Sequence, residues 1–137
     1  MTNAERPDIT DRVQAMPFAK RLGLRDVRGD ATGITAVADW APEHCTGGTT
    51  LHGGYPMTVA DTLGALCAGQ NLPPGAGTTT IESKTNFLRG VTSGTIHISV
   101  EPVHVGRMTI VVQTDITRED GKLASRTTQT QAVLQPR

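Results

Sequence analysis

In this 137-residue sequence, Asp61 is the residue whose type and surroundings most clearly indicate a functional role. It is the one formally charged residue in YPMTVADTLGALCAGQ, the otherwise small or apolar run that extends from Tyr55 to Gln70. A carboxylate in such surroundings is costly unless it is paired or its pKa rises, so structure alone gives little reason to keep it there. Asp61 is therefore the leading candidate for a functional residue. The alternative is a structural pairing with an Arg or with backbone amides at a subunit contact.

A second chemical element, Leu51-His52-Gly53-Gly54, directly precedes this run. Two residues without Cβ stand at the expected start of a helix, where free N–H groups and the helix dipole favour a developing negative oxygen. The element could therefore bind a substrate carbonyl, or it could be an ordinary loop-to-helix turn. His52 could orient it or form a structural hydrogen bond.

The spacing between Gly53 and Asp61 limits how the two could cooperate. With a rise of about 1.5 Å per residue, they lie roughly 12 Å apart along one helix. A single reacting group cannot touch both from the same chain. If both act on one substrate, two chains must build the site.

Composition excludes several other classes of function. Lys plus Arg and Asp plus Glu each number 13, so the formal net charge is zero. The overall charge therefore does not indicate nucleic acid or an anionic membrane as a partner. No apolar run approaches the roughly 18 residues of a transmembrane helix. Cys45 and Cys67 form no CxxC pair and the N-terminus has no secretory signal, which predicts reduced thiols and a cytoplasmic location. His44, Cys45 and His52 match no metal-binding spacing, so no metal and no cofactor are expected.

The helix and strands that carry these residues are predicted from hydrophobic periodicity. The run from Tyr55 to Gln70 predicts a helix that is apolar on nearly every face and therefore enclosed, with Pro56 in its first turn. Alternation predicts one strand before it, over 32–40, and four after it, over 79–87, 96–100, 108–116 and 123–134. In the first of these four, Thr79, Ile81, Ser83, Thr85 and Phe87 share one side.

This order predicts an α+β domain in which an antiparallel sheet covers one helix. Asp120-Gly121 predicts a hairpin between the last two strands. A single small sheet leaves open edges, so we expect a dimer. Residues 1–16 are expected to form a flexible lead-in and residues 17–137 a single domain, because one core accounts for this length.

Three segments carry a family resemblance: HGGYPMTVADTLGA, ESKTNFLRGVTSG and VHVGRMTIVVQTDITREDGKLASRTTQTQAVL. Over residues 17–134 the chain resembles the phenylacetic-acid-pathway (PaaI-like) branch of the hot-dog thioesterase family. The resemblance implies a hot-dog fold, dimers that pair into homotetramers, and hydrolysis of acyl-CoA thioesters.

The resemblance also implies roles for individual residues. The Gly53 amide would polarise the thioester carbonyl, and Asp61 of the facing subunit would attack it or activate water. Thr62 follows Asp61 as a small hydroxyl residue does in this branch, and Thr80 lies near the place of a water-orienting hydroxyl in some relatives. Thr46 stands where relatives carry an Asn or Gln that contacts the carboxylate or the substrate, and its shorter side chain departs from that pattern.

Basic residues that follow strand ends correspond to the region where the family binds the nucleotide phosphates of CoA. We expect Lys84, Arg89 and Arg107 to contribute, with Gly106 beside Arg107. The two arginines are favoured because a guanidinium can hold a phosphate with two hydrogen bonds.

Two other functions remain open at this point. A catalytically silent hot-dog module could bind an acyl-CoA or an acyl carrier, although the presence of Asp61 argues against it. A hydratase or dehydratase would need a carboxylate and a histidine that cooperate as base and acid. Aryl, arylacetyl and medium aliphatic acyl groups are all compatible with the sequence.

Overall fold

Six antiparallel strands form one sheet, and one long helix packs against it, in the computed structural model, which describes residues 5–137. The strands pair in the order β1-β2-β4-β5-β6-β3, with ranges β1 (Arg25–Asp30), β2 (Gly33–Asp39), β3 (Gly77–Phe87), β4 (Thr95–Val105), β5 (Thr109–Thr117) and β6 (Leu123–Leu134). A short helix α1 (Thr10–Gln14) precedes the sheet, and the long helix α2 (Gly54–Gly69) lies between β2 and β3. The predicted α+β hot-dog architecture is confirmed.

Helix α2 confirms the predicted helix to within one residue at each end. Its buried residues Val59, Leu63 and Cys67 join the core formed by the sheet. Contrary to the expected enclosure, Met57 and Asp61 are exposed on its other side. The sheet covers only one face, so within a single chain the helix keeps an open face.

The N-terminal segment is packed over residues 5–16, where a flexible lead-in was expected, and residues 1–4 lie outside the described range. The Ile9 N–H donates to the Val27 carbonyl at 2.8 Å, and the Gly29 N–H donates to the Pro7 carbonyl at 3.0 Å. Val13 of α1 is fully buried. This segment therefore covers the outer edge of β1. Strand β1 itself was not predicted, because its sequence RDVRGD has one large apolar residue and is typical of a charged loop.

A β-bulge in β3 corrects one detail of the predicted strand pattern. Thr80 pairs with Gln131 and Glu82 with Thr130, so Ile81 has no partner in β6. Successive side chains of a strand point to opposite faces, so one extra residue reverses the alternation beyond it. Thr80 and Ser83 therefore face the helix side, and the prediction that Ile81 shares the side of Ser83 is wrong.

The remaining strands and the Asp120-Gly121 hairpin agree with the predictions. Gly121 has a φ of +81°, in the left-handed region that favours glycine. Within residues 5–137, no helix is long and apolar enough to cross a membrane.

Candidate active site

The Asp61 carboxylate is held by two hydrogen bonds to the same oxygen. Thr80 Oγ1 and Gln129 Nε2 each donate to Asp61 Oδ1 at 3.0 Å. No donor within residues 5–137 contacts Oδ2. The carboxylate is therefore oriented through one oxygen, and its other oxygen is available to a substrate or a water molecule.

A second buried amide orients Thr80. Gln131 Nε2 donates to Thr80 Oγ1 at 2.7 Å, and Gln131 Oε1 accepts from Thr78 Oγ1 at 3.2 Å. Because Gln131 occupies an acceptor position of the Thr80 hydroxyl, the hydroxyl proton points to Asp61. Gln129 and Gln131 are fully buried. Sequence reasoning missed both, because polar residues occur on both faces of β6 and the pattern does not indicate which face is buried.

The turn of His52, Gly53 and Gly54, hereafter the HGG turn, leaves one amide free at the start of α2. His52 Nδ1 accepts from the Gly54 N–H at 2.8 Å, and the His52 carbonyl accepts from the Tyr55 N–H at 2.9 Å. Gly53 is the N-cap, and its N–H has no acceptor within residues 5–137. The turn therefore presents a hydrogen-bond donor at the positive end of the helix dipole.

Tyr55 ties the HGG turn to the rest of the molecule. Its ring stacks on His44 with centroids 4.3 Å apart, and its hydroxyl donates to the Leu22 carbonyl at 2.6 Å. Burial raises the pKa of the Tyr55 hydroxyl to about 12. These contacts hold the start of α2 in one position.

A pocket of about 340 Å³ opens beside Gly53. Its wall is mainly apolar, with Leu51, Phe87 and Ile96 among the lining residues. The Phe87 ring lies so close that a Cβ on residue 53 would be 3.2 Å from it. Arg89 also lines this pocket, and its Nη1 donates to the Leu123 carbonyl at 2.9 Å.

Asp61 lines a different pocket of about 360 Å³, on the open face of α2. Thr62, Arg12, Met16 and Leu66 contribute to its wall. Gly53 and Asp61 of one chain therefore open into separate pockets. This arrangement agrees with the roughly 12 Å helical spacing between them.

The predicted phosphate-binding residues do not form one cluster within a chain. Arg89 follows β3, whereas Gly106 and Arg107 form the turn between β4 and β5. These places lie at opposite ends of β4, which spans 11 residues or roughly 35 Å. Lys84 is exposed on β3. Any joint action of Arg89 and Arg107 would need two chains.

Thr46 and the preceding residues His44 and Cys45 form no hydrogen bond with Asp61 within residues 5–137. Thr46 is exposed, and its backbone N–H donates to the Thr50 carbonyl at 2.9 Å. His44 Nε2 lies 3.3 Å from the Arg21 carbonyl, and Cys45 Sγ donates to the Ala41 carbonyl at 3.4 Å. In the described part of the chain, no three His, Cys, Asp or Glu side chains are grouped as metal ligands.

Comparison with known proteins matches the sequence to one family. The family described as "Thioesterase superfamily" matches residues 48–125, more than half of the chain. A Haemophilus influenzae protein named "Putative esterase" is 36% identical over 73 residues, which are 53% of each protein. The chain therefore spans about half the length of this relative.

Two solved structures share the fold over most of their length. A mutant thioesterase from Pseudomonas aeruginosa superposes with a TM-score of 0.84 at 26% identity, covering 93% of this chain and 94% of that one. A hypothetical thioesterase from Streptococcus pneumoniae, solved with coenzyme A, gives a TM-score of 0.73 at 25% identity, covering 81% and 86%. The family model matches more than half of the chain and the solved structures share its fold, so the chain belongs to the thioesterase superfamily.

Proposed function

We propose that this chain hydrolyses acyl-CoA thioesters in a site shared by two subunits. The Gly53 N–H of one subunit binds the thioester carbonyl oxygen, and Asp61 of the facing subunit supplies the carboxylate. One observation carries the proposal: the Asp61 carboxylate is bonded at Oδ1 by Thr80 and Gln129 and has Oδ2 free. A carboxylate with one fixed oxygen and one open oxygen suits attack on a bound carbonyl.

The reaction can take two routes from this geometry. Asp61 Oδ2 attacks the carbonyl carbon to give an anhydride that water then hydrolyses, or it removes a proton from a water that attacks directly. In both routes negative charge develops on the carbonyl oxygen, where the Gly53 amide and the α2 dipole stabilise it. The C–S bond breaks, the CoA thiolate takes up a proton, and the free acid leaves.

The shared site needs a dimer, and β3 is the strand we propose for its interface. The segment 7–9 covers the outer edge of β1, whereas β3 is an exposed edge of 11 residues. The apolar side chains of Ile81 and Phe87 are more than half exposed on it. A long, partly apolar edge favours pairing with another strand, and β3 pairing between two chains would bring their open α2 faces together.

Measuring molecular mass in solution tests this interface. Wild-type protein should sediment as a dimer or a multiple of it, and Ile81→Lys should shift the mass toward one chain and remove thioesterase activity. Val103→Lys is a matched control, since Val103 is similarly exposed at 62% against 59% for Ile81 but lies on β4. A monomeric wild-type protein that remains active would contradict the shared site.

The finer features of the proposal rest on the sequence. PaaI-like membership, the dimer of dimers, a cytoplasmic location and the roles of His52, Thr62 and Thr46 remain predictions. The coenzyme A in the Streptococcus pneumoniae structure supports a CoA thioester as the substrate class. Arg89 at the rim of the Gly53 pocket is the described cation best placed to contact the nucleotide phosphates.

The decisive experiment compares wild type with Asp61→Asn on a panel of acyl-CoAs, with a thiol reagent detecting released CoA. Asn keeps the shape of the side chain and its Oδ1 still accepts from Thr80 and Gln129, so the fold and CoA affinity should persist. We expect kcat to fall by about 10²-fold or more. Asp26→Asn, which exchanges another exposed aspartate, serves as the control and should retain activity.

Each outcome of the panel separates the competing functions. If Asp61→Asn retained more than about a tenth of wild-type kcat, the catalytic assignment would be wrong. Hydrated product without free CoA would indicate a hydratase, and acyl-CoA binding without turnover would indicate a silent binding module. The kcat/KM profile across the panel would identify the acyl group.

A further inference from the structure

We propose that Gln129 is a positioning residue that determines which oxygen of Asp61 reacts; this inference rests on the proposed function. Gln129 is fully buried in β6, and its Nε2 donates to Asp61 Oδ1 at 3.0 Å. The torsion that rotates an aspartate carboxylate is soft, with two broad wells. A single hydrogen bond from Thr80 would leave the plane of the carboxylate poorly defined. Two donors on Oδ1 define it and hold Oδ2 toward the substrate side.

The amide of Gln129 has one workable orientation. If the amide were flipped, Oε1 would face Asp61 Oδ1 and two acceptors would oppose each other. In the observed orientation Oε1 is buried and has no hydrogen-bond partner within residues 5–137. An unsatisfied buried acceptor destabilises a fold, and an apolar side chain of similar size would avoid that cost. Stability alone therefore does not account for a glutamine at this position.

Helix α2 is shaped to admit this amide. A Cβ on Gly64 would lie 2.3 Å from Gln129 Oε1, 2.9 Å from its Cδ and 3.1 Å from Val112 Cγ2. Gly64 follows Asp61 by three residues, about one helical turn. The missing side chain at Gly64 thus makes the space through which Gln129 reaches Asp61. Gly64 and Gln129 therefore form a structural pair, in which the glycine leaves room for the amide.

The first test separates positioning from general packing. Gln129→Met keeps the approximate volume and removes the donor, so kcat should fall about tenfold or more while KM stays within about twofold. Thr127→Val is the matched control, since Thr127 is also buried in β6 and its hydroxyl bonds Thr85 at 2.7 Å instead of Asp61. If Gln129→Met kept more than about half of wild-type kcat, or if both variants lost kcat equally, the assignment would be overturned.

The second test does not depend on activity, so it separates failure of this inference from failure of the proposed function. In a ¹⁵N-labelled chain, the side-chain NH₂ resonances of Gln129 are identified by their loss in Gln129→Met. They should shift in Asp61→Ala and in Gly64→Ala, and should stay in place in Gly69→Ala, where nothing lies within 4 Å of an added Cβ. Unmoved resonances in Asp61→Ala would overturn the inference even if the chain proves to be a thioesterase. Shifted resonances would support the contact even if no acyl-CoA is hydrolysed.

Discussion

Replacing Gly53 with proline should remove the carbonyl-binding amide and leave the HGG turn in place. Gly53 has a φ of −56°, within the range of proline, and its N–H has no acceptor within residues 5–137. Loss of one donor to a developing oxyanion lowers kcat by about 10²- to 10³-fold. Gly53→Ala is the control, because it adds the same Cβ 3.2 Å from the Phe87 ring and keeps the N–H. It should keep most of the activity.

The shared site predicts that two inactive variants restore each other. Random exchange between Gly53→Pro and Asp61→Asn subunits makes about half of the dimers mixed, and each mixed dimer contains one site with both defects and one with neither. About a quarter of all sites are then intact. The mixture should therefore recover about a quarter of wild-type activity per chain, well above the level of either variant alone.

The assay follows CoA release before and after exchange, and mass spectrometry under native conditions verifies that mixed dimers have formed. A mixture that contains mixed dimers but stays at the activity of its components would refute the shared site. Each chain would then have to contain a complete site of its own. Such a result would also require Gly53 and Asp61 to act on different parts of the substrate, given their roughly 12 Å separation.

Arg89→Ala and Arg107→Ala should raise KM for CoA thioesters more than they lower kcat, because the nucleotide lies far from the reacting bond; an unchanged KM in both would place the nucleotide site elsewhere. Burial raises the pKa of the Tyr55 hydroxyl to about 12 from its usual 10.0. The hydroxyl therefore stays protonated to a higher pH in the folded state than in the unfolded state. The free energy of unfolding should therefore fall as pH rises from about 10 to 12, and this fall should be smaller in Tyr55→Phe, as urea titration at several pH values can check. Thr114 is buried and its hydroxyl has no hydrogen-bond partner among the described residues, so Thr114→Val should raise the free energy of unfolding by about 1 kcal/mol. A clear loss of stability in that variant would mean that the hydroxyl is satisfied in solution.

Three features of the fold escaped sequence reasoning for the same physical reason. Strand β1 and the packed segment 5–16 contain few apolar residues, and their order comes from hydrogen bonds such as that between Ile9 and Val27. The bulge at Ile81 has no signal in the alternation, because an extra residue becomes visible only when β3 is paired with β6. Patterns within one segment do not report such pairings.

Elements that depend on local periodicity and local chemistry can be predicted from the sequence alone. The sequence predicts α2, the main strands, the Asp120-Gly121 hairpin, the HGG turn and the isolated carboxylate of Asp61, since each is encoded within a few neighbouring residues. The surroundings of that carboxylate depend on contacts between distant segments. Thr80 and Gln129 reach Asp61 from 19 and 68 residues away, because β6 pairs with β3 beneath α2. Contacts that depend on strand order and register cannot be predicted from any single segment. The residues that orient Asp61 could therefore be identified only in the folded chain.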